Sequence, residues 1–251
     1  MNTLTFFPRV YGPESTHLLS IFSKRIRSLS EDLHLSHLEV NTNSRGHIDV
    51  TINGEDEEFF RNVLEQRYGI VPEFETVNTD TEYPGYLIDV GNVGYGLYVD
   101  IGLPPNPPTD LLIPLHRLRE QFNMPDNSLN EIKRKMVLVE NLPVNTRITK
   151  IDSRNAELEG EFSDSYITQI NTWASSSHQR LLILGTTYKM IDNVLSKTDH
   201  KRDVVEIERI GPFEFSVVCK IGTRATGILA AVGSRLRGIP IHPFIPEKVR
   251  G

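Results

Sequence analysis

Hydrophobic and polar positions alternate along the first 80 residues in a pattern that switches repeatedly between strand and helix periods. Leu4 to Val10 reads as a strand closed by Tyr11-Gly12-Pro13. Leu18, Leu19, Phe22, Ile26, Leu29 and Leu33 then recur at helical spacing behind Ser15 or Thr16 as the cap, past the Lys24/Arg25/Arg27 face. Leu38, Val40 and Thr42 alternate with polar residues, as do Ile48, Val50 and Ile52, and Asn43-Ser44-Arg45-Gly46 between them reads as a hairpin turn. A second helix is predicted from about Asp56 to Tyr68, with Phe59, Phe60, Val63 and Leu64 on one face and Gly69 as its stop. Val71 to Val77 supplies a fourth strand.

The same order returns in the last third of the chain. Arg180 to Leu184, Asp203 to Arg209, Phe213 to Ile221 and Ile239 to Ile245 are predicted strands. Tyr188 to Leu195 and Ala225 to Leu236 are predicted helices. Both segments read βαββαβ, the order of the ferredoxin-like split unit, in which two helices cover one face of a four-stranded antiparallel sheet.

Between them lies a different pattern. Tyr86 to Asp89 and Leu97 to Ile101 are short β-prone runs separated by Gly91, Gly94 and Gly96, the habit of strands that bend hard or lie close to another backbone. A proline-rich loop, Pro104 to Pro108, precedes a third strand, Thr109 to Leu115, and a short helix or turn from Leu118 to Phe122. Leu142 to Asp152 and Ala156 to Phe162 are the fourth and fifth strands, after a helix-capable insertion over about 123–141 that carries Lys133, Arg134 and Lys135 in succession. Glu157, Glu159 and Glu161 alternate with Leu158, Gly160 and Phe162, so the carboxylates share the outer face of the fifth strand.

The run Gly94-Tyr95-Gly96-Leu97-Tyr98-Val99-Asp100-Ile101-Gly102, then a loop, then Leu111-Leu112-Ile113-Pro114, resembles the S1 RNA-binding domain, a five-stranded OB-fold barrel. The resemblance covers about a third of the chain and implies that Tyr95 and Tyr98 lie on the RNA-facing surface. Two positions depart from it. Ile113 stands where the family often has histidine, and Glu157 and Glu159 stand where its last strand often has arginine. The chain as a whole resembles uncharacterised archaeal-type proteins that carry this barrel, a likeness that implies no activity.

Composition narrows the function. A net charge of −6 argues against a protein that coats nucleic acid indiscriminately, yet residues 201–251 hold nine lysines and arginines against five acidic residues, leaving −10 for residues 1–200. A polyanion is expected to meet the C-terminal end first. One cysteine, Cys219, permits no intrachain disulfide, and no apolar run approaches membrane length, so a cytoplasmic protein without a membrane partner is expected.

Candidate chemistry is sparse. His34 and His37 are close in sequence but lack further ligands, and Asp199, His200 and Asp203 read as a charged loop more simply than as a hydrolytic cluster. Lys220-Ile221-Gly222-Thr223-Arg224 runs from a strand to a helix start and, with Arg235 and Arg237, forms a candidate phosphate site without a Walker spacing. No cofactor, metal or catalytic residue is assigned, and a non-enzymatic protein is expected.

The expected architecture is therefore α+β: a central S1-like OB barrel over 83–164, flanked by ferredoxin-like domains over 1–80 and 179–251, with a connector helix and linker over 165–178. The expected function is RNA binding, single-stranded or ribosomal, beside ribosomal or polymerase proteins. Tyr86, Tyr95 and Tyr98 would stack on bases, while Lys133, Arg134, Lys135, Arg147, Lys150, Lys220, Thr223, Arg224, Arg235 and Arg237 would meet phosphate. The alternatives are a protein-interaction adaptor that uses the acidic barrel face, and a nuclease or nucleotide-dependent enzyme.

Overall fold

In the computed structural model, which describes residues 2–104 and 109–250, three antiparallel strands open the chain. These are β1 (Asn2–Arg9), β2 (Leu35–Thr42) and β3 (His47–Gly54), in the order β1-β3-β2. Helices α1 (Ser15–Leu29) and α2 (Glu57–Tyr68) pack on one face through Leu18, Phe22, Ile26, Phe60 and Leu64. Each of these buried side chains contributes about 2 kcal/mol of apolar transfer. Two expectations are corrected here. Phe59 is exposed, because Phe60 takes the inward position, and neither Ser15 nor Thr16 caps α1, whose N-cap is Glu14 without a side-chain bond.

The fourth strand expected at Val71 to Val77 is reduced to a single bridge from Ile70 to Phe6, followed by a 3-10 turn over Phe74–Thr76. The Val71 N–H still donates to the Thr5 carbonyl at 3.1 Å. Pro72 has no N–H with which to continue the ladder, so pairing stops there.

The middle of the chain closes into a five-stranded barrel of β4 (Glu82–Ile88), β5 (Gly96–Asp100), β6 (Leu111–Pro114), β7 (Pro143–Asp152) and β8 (Glu157–Phe162), ordered β4-β5-β6-β8-β7 with β7 returning to β4. Only the β6–β8 seam is parallel. The glycine reading is explained by close approach: a Cβ on Gly96 would stand 2.5 Å from the Ile113 carbonyl oxygen, and one on Gly85 would collide with the Val99 side chain. Of the proline-rich loop, residues 105–108 lie outside the described residues. Helix α3 (Leu115–Gln121) stands where the short helix or turn was expected, and the insertion after it forms α4 (Leu129–Met136), started by a capping box between Ser128 and Glu131.

Helix α5 (Asp164–Ser175) leads to a four-stranded antiparallel sheet of β9 (Arg180–Leu184), β10 (Val204–Arg209), β11 (Glu214–Cys219) and β12 (Ile241–Phe244), ordered β10-β11-β9-β12. Helices α6 (Tyr188–Lys197) and α7 (Ala225–Val232) belong to this unit, and α8 (Pro246–Arg250) follows it. All five residues of β9 are buried, because the strand is covered on both faces. Leu181 and Ile183 join the cluster made with α6 and α7, whereas Leu182 and Leu184 join the barrel core with Trp173 and Phe244. Trp173 thus packs between connector and sheet, with the Arg180 guanidinium 4.7 Å from its ring centre.

Polar contacts fix the first sheet on the barrel. Asp100, nearly inaccessible at 1% exposure, meets Arg45 at 3.1 Å and His47 Nε2 at 3.2 Å, and Arg45 continues to Asp110. His47 Nδ1 meets the Phe7 carbonyl at 2.9 Å, so each ring nitrogen faces an acceptor. Phe7, on the face of β1 opposite the helices, stacks on Tyr86 with ring centres 4.9 Å apart.

Candidate nucleic-acid interface

Strand β5 and the loop before it place Tyr95 and Tyr98 together. Their rings are 6.3 Å apart and edge-to-face, their hydroxyls are 2.8 Å apart, and Tyr95 is 55% exposed while Tyr98 is half-buried. The Tyr95 hydrogen bond, then burial, pushes the Tyr98 hydroxyl up to about 12. The pair borders a groove of about 680 Å³, whose floor includes Leu112, the neighbour of Tyr98 across the β5–β6 ladder.

The groove is acidic. Asp89, Asp110, Glu157 and Glu159 line it, together with Asn155 from the β7–β8 turn, and no lysine or arginine does. Burial raises the Asp110 pKa, aided by Asp100 and Asp89 and opposed by Arg45. The alternation expected in β8 is present, but its carboxylates do not stand alone: Glu159 pairs with Lys150 at 3.1 Å, and Glu161 with Arg147 at 2.8 Å. Arg147 also reaches Asp164 at 3.2 Å. These two cations, expected to meet phosphate, are committed to cross-strand ion pairs.

Tyr86 is a further correction. It is fully buried under Phe7, because the first sheet covers the end of the barrel where β4 begins its pairing with β5, so it offers no ring to a base. The sequence shows the tyrosine but not the domain that covers it.

Basic residues gather on the other side of the 89–95 loop. Lys133 and Arg134 border a cleft of about 580 Å³ between the barrel and β12, with Val90 on one wall, His242 on another and Glu140 as its one carboxylate among the described residues. Arg134 and Lys135 border an adjoining cleft of about 360 Å³ with Lys248 and Thr226. Among the described residues none of these four cations has a carboxylate in ion-pair range. Lys133 Nζ lies 3.9 Å from where a Cβ on Gly91 would stand, which sets the ammonium against the loop that ends at Tyr95.

The expected phosphate site at the start of α7 is not assembled. Lys220, Thr223 and Arg224 precede the helix and Arg235 and Arg237 follow it, so eight helical residues, about 12 Å of rise, separate the two groups. One N–H at the helix start, that of Ala225, already donates to Gln179 Oε1 at 2.9 Å, and Arg237 Nε donates to the Ser234 carbonyl at 3.2 Å.

Other reactive groups are quiet. Burial pushes the Cys219 thiol up to about 11, and His200 Nδ1 meets Asp203 at 2.8 Å within a short turn. Among the described residues no group of three or more histidine, cysteine or acidic side chains is arranged to hold a metal ion. No helix among them is long and apolar enough to cross a membrane.

Three domain families match the chain in succession: the DUF2110 N-terminal domain over residues 4–73, the DUF2110 central domain over 77–174 and the DUF2110 C-terminal domain over 178–241. No curated protein matches it.

Proposed function

The chain belongs to the DUF2110 family, and from the geometry of its central domain we propose a non-catalytic protein that binds single-stranded RNA. Bases enter the Tyr95/Tyr98 groove and phosphates lie in the basic cleft beyond the 89–95 loop. The observation that carries this reading is the open tyrosine pair directly beside a loop whose far side holds Lys133.

The strand order β4-β5-β6-β8-β7 supports an OB-fold assignment. In such barrels the second and third strands and the loops after the first and fourth strands form the ligand face. Tyr98, Leu112, Asp89 and Asn155 come from those places. The order β10-β11-β9-β12 supports a ferredoxin-like assignment for the last unit, and order β1-β3-β2 with the Ile70 bridge supports a reduced version for the first.

Charge decides how RNA lies. Asp89 and Glu157, which have no cation in ion-pair range among the described residues, repel phosphate, so the backbone stays out of the groove and the bases turn in, where carboxylates accept from exocyclic amino groups. Stacking on an aromatic ring is worth about 1–3 kcal/mol per base. Expected partners are RNA within a ribonucleoprotein and the proteins beside it.

The carboxylate lining itself favours one competing reading, an adaptor that seats a lysine- or arginine-rich peptide. Fluorescence anisotropy with labelled single-stranded RNA, and with a basic peptide as competitor, separates the two. Glu157→Gln/Glu159→Gln strengthens RNA binding under the first reading and abolishes peptide binding under the second.

A further inference from the structure

A further cavity, of about 360 Å³, lies between the N-terminal helices and the turn joining β10 to β11. Such a volume is near the lower bound for small-molecule sites, roughly 300 Å³. Its walls are aromatic: Phe22 is 4.8 Å from the Tyr68 ring and 6.4 Å from Phe213. Its charged groups are three arginines from three different elements, Arg25 on α1, Arg67 on α2 and Arg209 on β10, and among the described residues no carboxylate lines it.

Two of these arginines, Arg25 and Arg67, are exposed and have no carboxylate in ion-pair range among the described residues. Arg209 is oriented by donating to the Pro212 carbonyl at 2.5 Å and by standing over the Phe215 ring at 4.8 Å. The Tyr68 hydroxyl is buried and has no hydrogen-bond partner among the described residues.

We infer that this cavity binds a nucleoside phosphate, either free or as the phosphorylated end of an RNA strand. The base takes the Phe22/Tyr68/Phe213 surface, and the phosphate meets the arginine forks, whose planar donors match phosphate oxygens in pairs. The inference is independent of the barrel groove, since the two sites share no lining residue.

Isothermal titration calorimetry on the full chain tests it with four probes: adenosine monophosphate, inorganic phosphate, and one single-stranded oligonucleotide carrying either a 5′-phosphate or a 5′-hydroxyl. Binding of the monophosphate, or tighter binding of the phosphorylated strand than of its hydroxyl form, supports the site and identifies which source it takes. Arg25→Glu/Arg67→Glu weakens that binding by more than ~10-fold, because each charged hydrogen bond lost is worth about tenfold or more. Tyr95→Ala/Tyr98→Ala leaves the monophosphate affinity and the preference for the 5′-phosphate intact. Absence of monophosphate binding together with equal affinities for the two strands overturns the inference, and so does a monophosphate affinity or 5′-phosphate preference that survives the arginine reversal in a variant with unchanged circular dichroism. Inorganic phosphate binding as tightly as the nucleotide overturns the aromatic half of the site.

Discussion

The Tyr11 hydroxyl donates to Glu214 Oε1 at 2.7 Å across 203 residues of sequence, tying the turn after β1 to the first residue of β11. Glu214 is fully buried, and its other oxygen accepts from the Phe213 N–H at 3.0 Å. Burial raises its pKa to about 7, although the Tyr11 and Phe213 hydrogen bonds act in the other direction.

A raised carboxyl pKa has one sign in stability. The contribution is present in full below the ordinary glutamate value near 4.5 and is lost as pH rises through about 7. The expected loss is on the order of 3 kcal/mol. Glu214→Gln keeps the shape and removes the titration, so its melting temperature falls less than the parent's between pH 5 and 8, as scanning calorimetry will read. Parallel curves for the two proteins would contradict this assignment.

Asp100 titrates with the opposite sign. Burial alone would raise its pKa, but hydrogen bonds from His47 and the Gly102 N–H, with the Arg45 charge, hold it down to about 2. Its contribution is lost as pH falls from the ordinary aspartate value of 3.8 through about 2. Asp100→Asn leaves His47 and Arg45 without their shared anion and costs about 3–5 kcal/mol at neutral pH. Urea unfolding measures it, and a loss below ~1 kcal/mol would show that the cluster does not hold the first sheet on the barrel.

Gly96→Ala tests the barrel seam. The added methyl would stand 2.5 Å from the Ile113 carbonyl oxygen, which is backbone and cannot turn aside. A cost of at least about 2 kcal/mol is expected from chemical denaturation. Ala at exposed Gly94, where a Cβ meets nothing within 4 Å, is the control and changes stability by less than ~0.5 kcal/mol.

Periodicity carried the helices and the barrel strands because their burial is local and regular: Leu18, Phe22 and Ile26 face inward as their spacing requires. It also carried the outward row Glu157, Glu159 and Glu161, whereas the open position of Tyr95 was implied only by the S1 resemblance. What it could not carry was contact between domains. Tyr86 has the same local setting as an exposed barrel aromatic until Phe7, 79 positions earlier, is laid on it. Likewise Lys133 and Lys248 meet around one pair of clefts only after the last unit docks, whereas Arg224 and Arg237, close in sequence, are parted by a helix. The groove residues Asp89, Asp110 and Asn155 stand in loops or just before a strand, where alternation gives no register. The β5–β6 pairing of Tyr98 with Leu112 is the one signal that could have led to the groove floor.

Titration of the full chain with single-stranded RNA over a salt series tests the central proposal most directly. The parent is expected to bind with a log–log salt slope of about −2, for some three phosphates neutralised by the α4 cations. Tyr95→Ala/Tyr98→Ala should weaken binding by at least ~10-fold at unchanged slope. Lys133→Gln/Arg134→Gln should flatten the slope by about 1.4. Absence of salt-dependent binding by the parent, or binding indifferent to the loss of both tyrosines, would contradict the proposal.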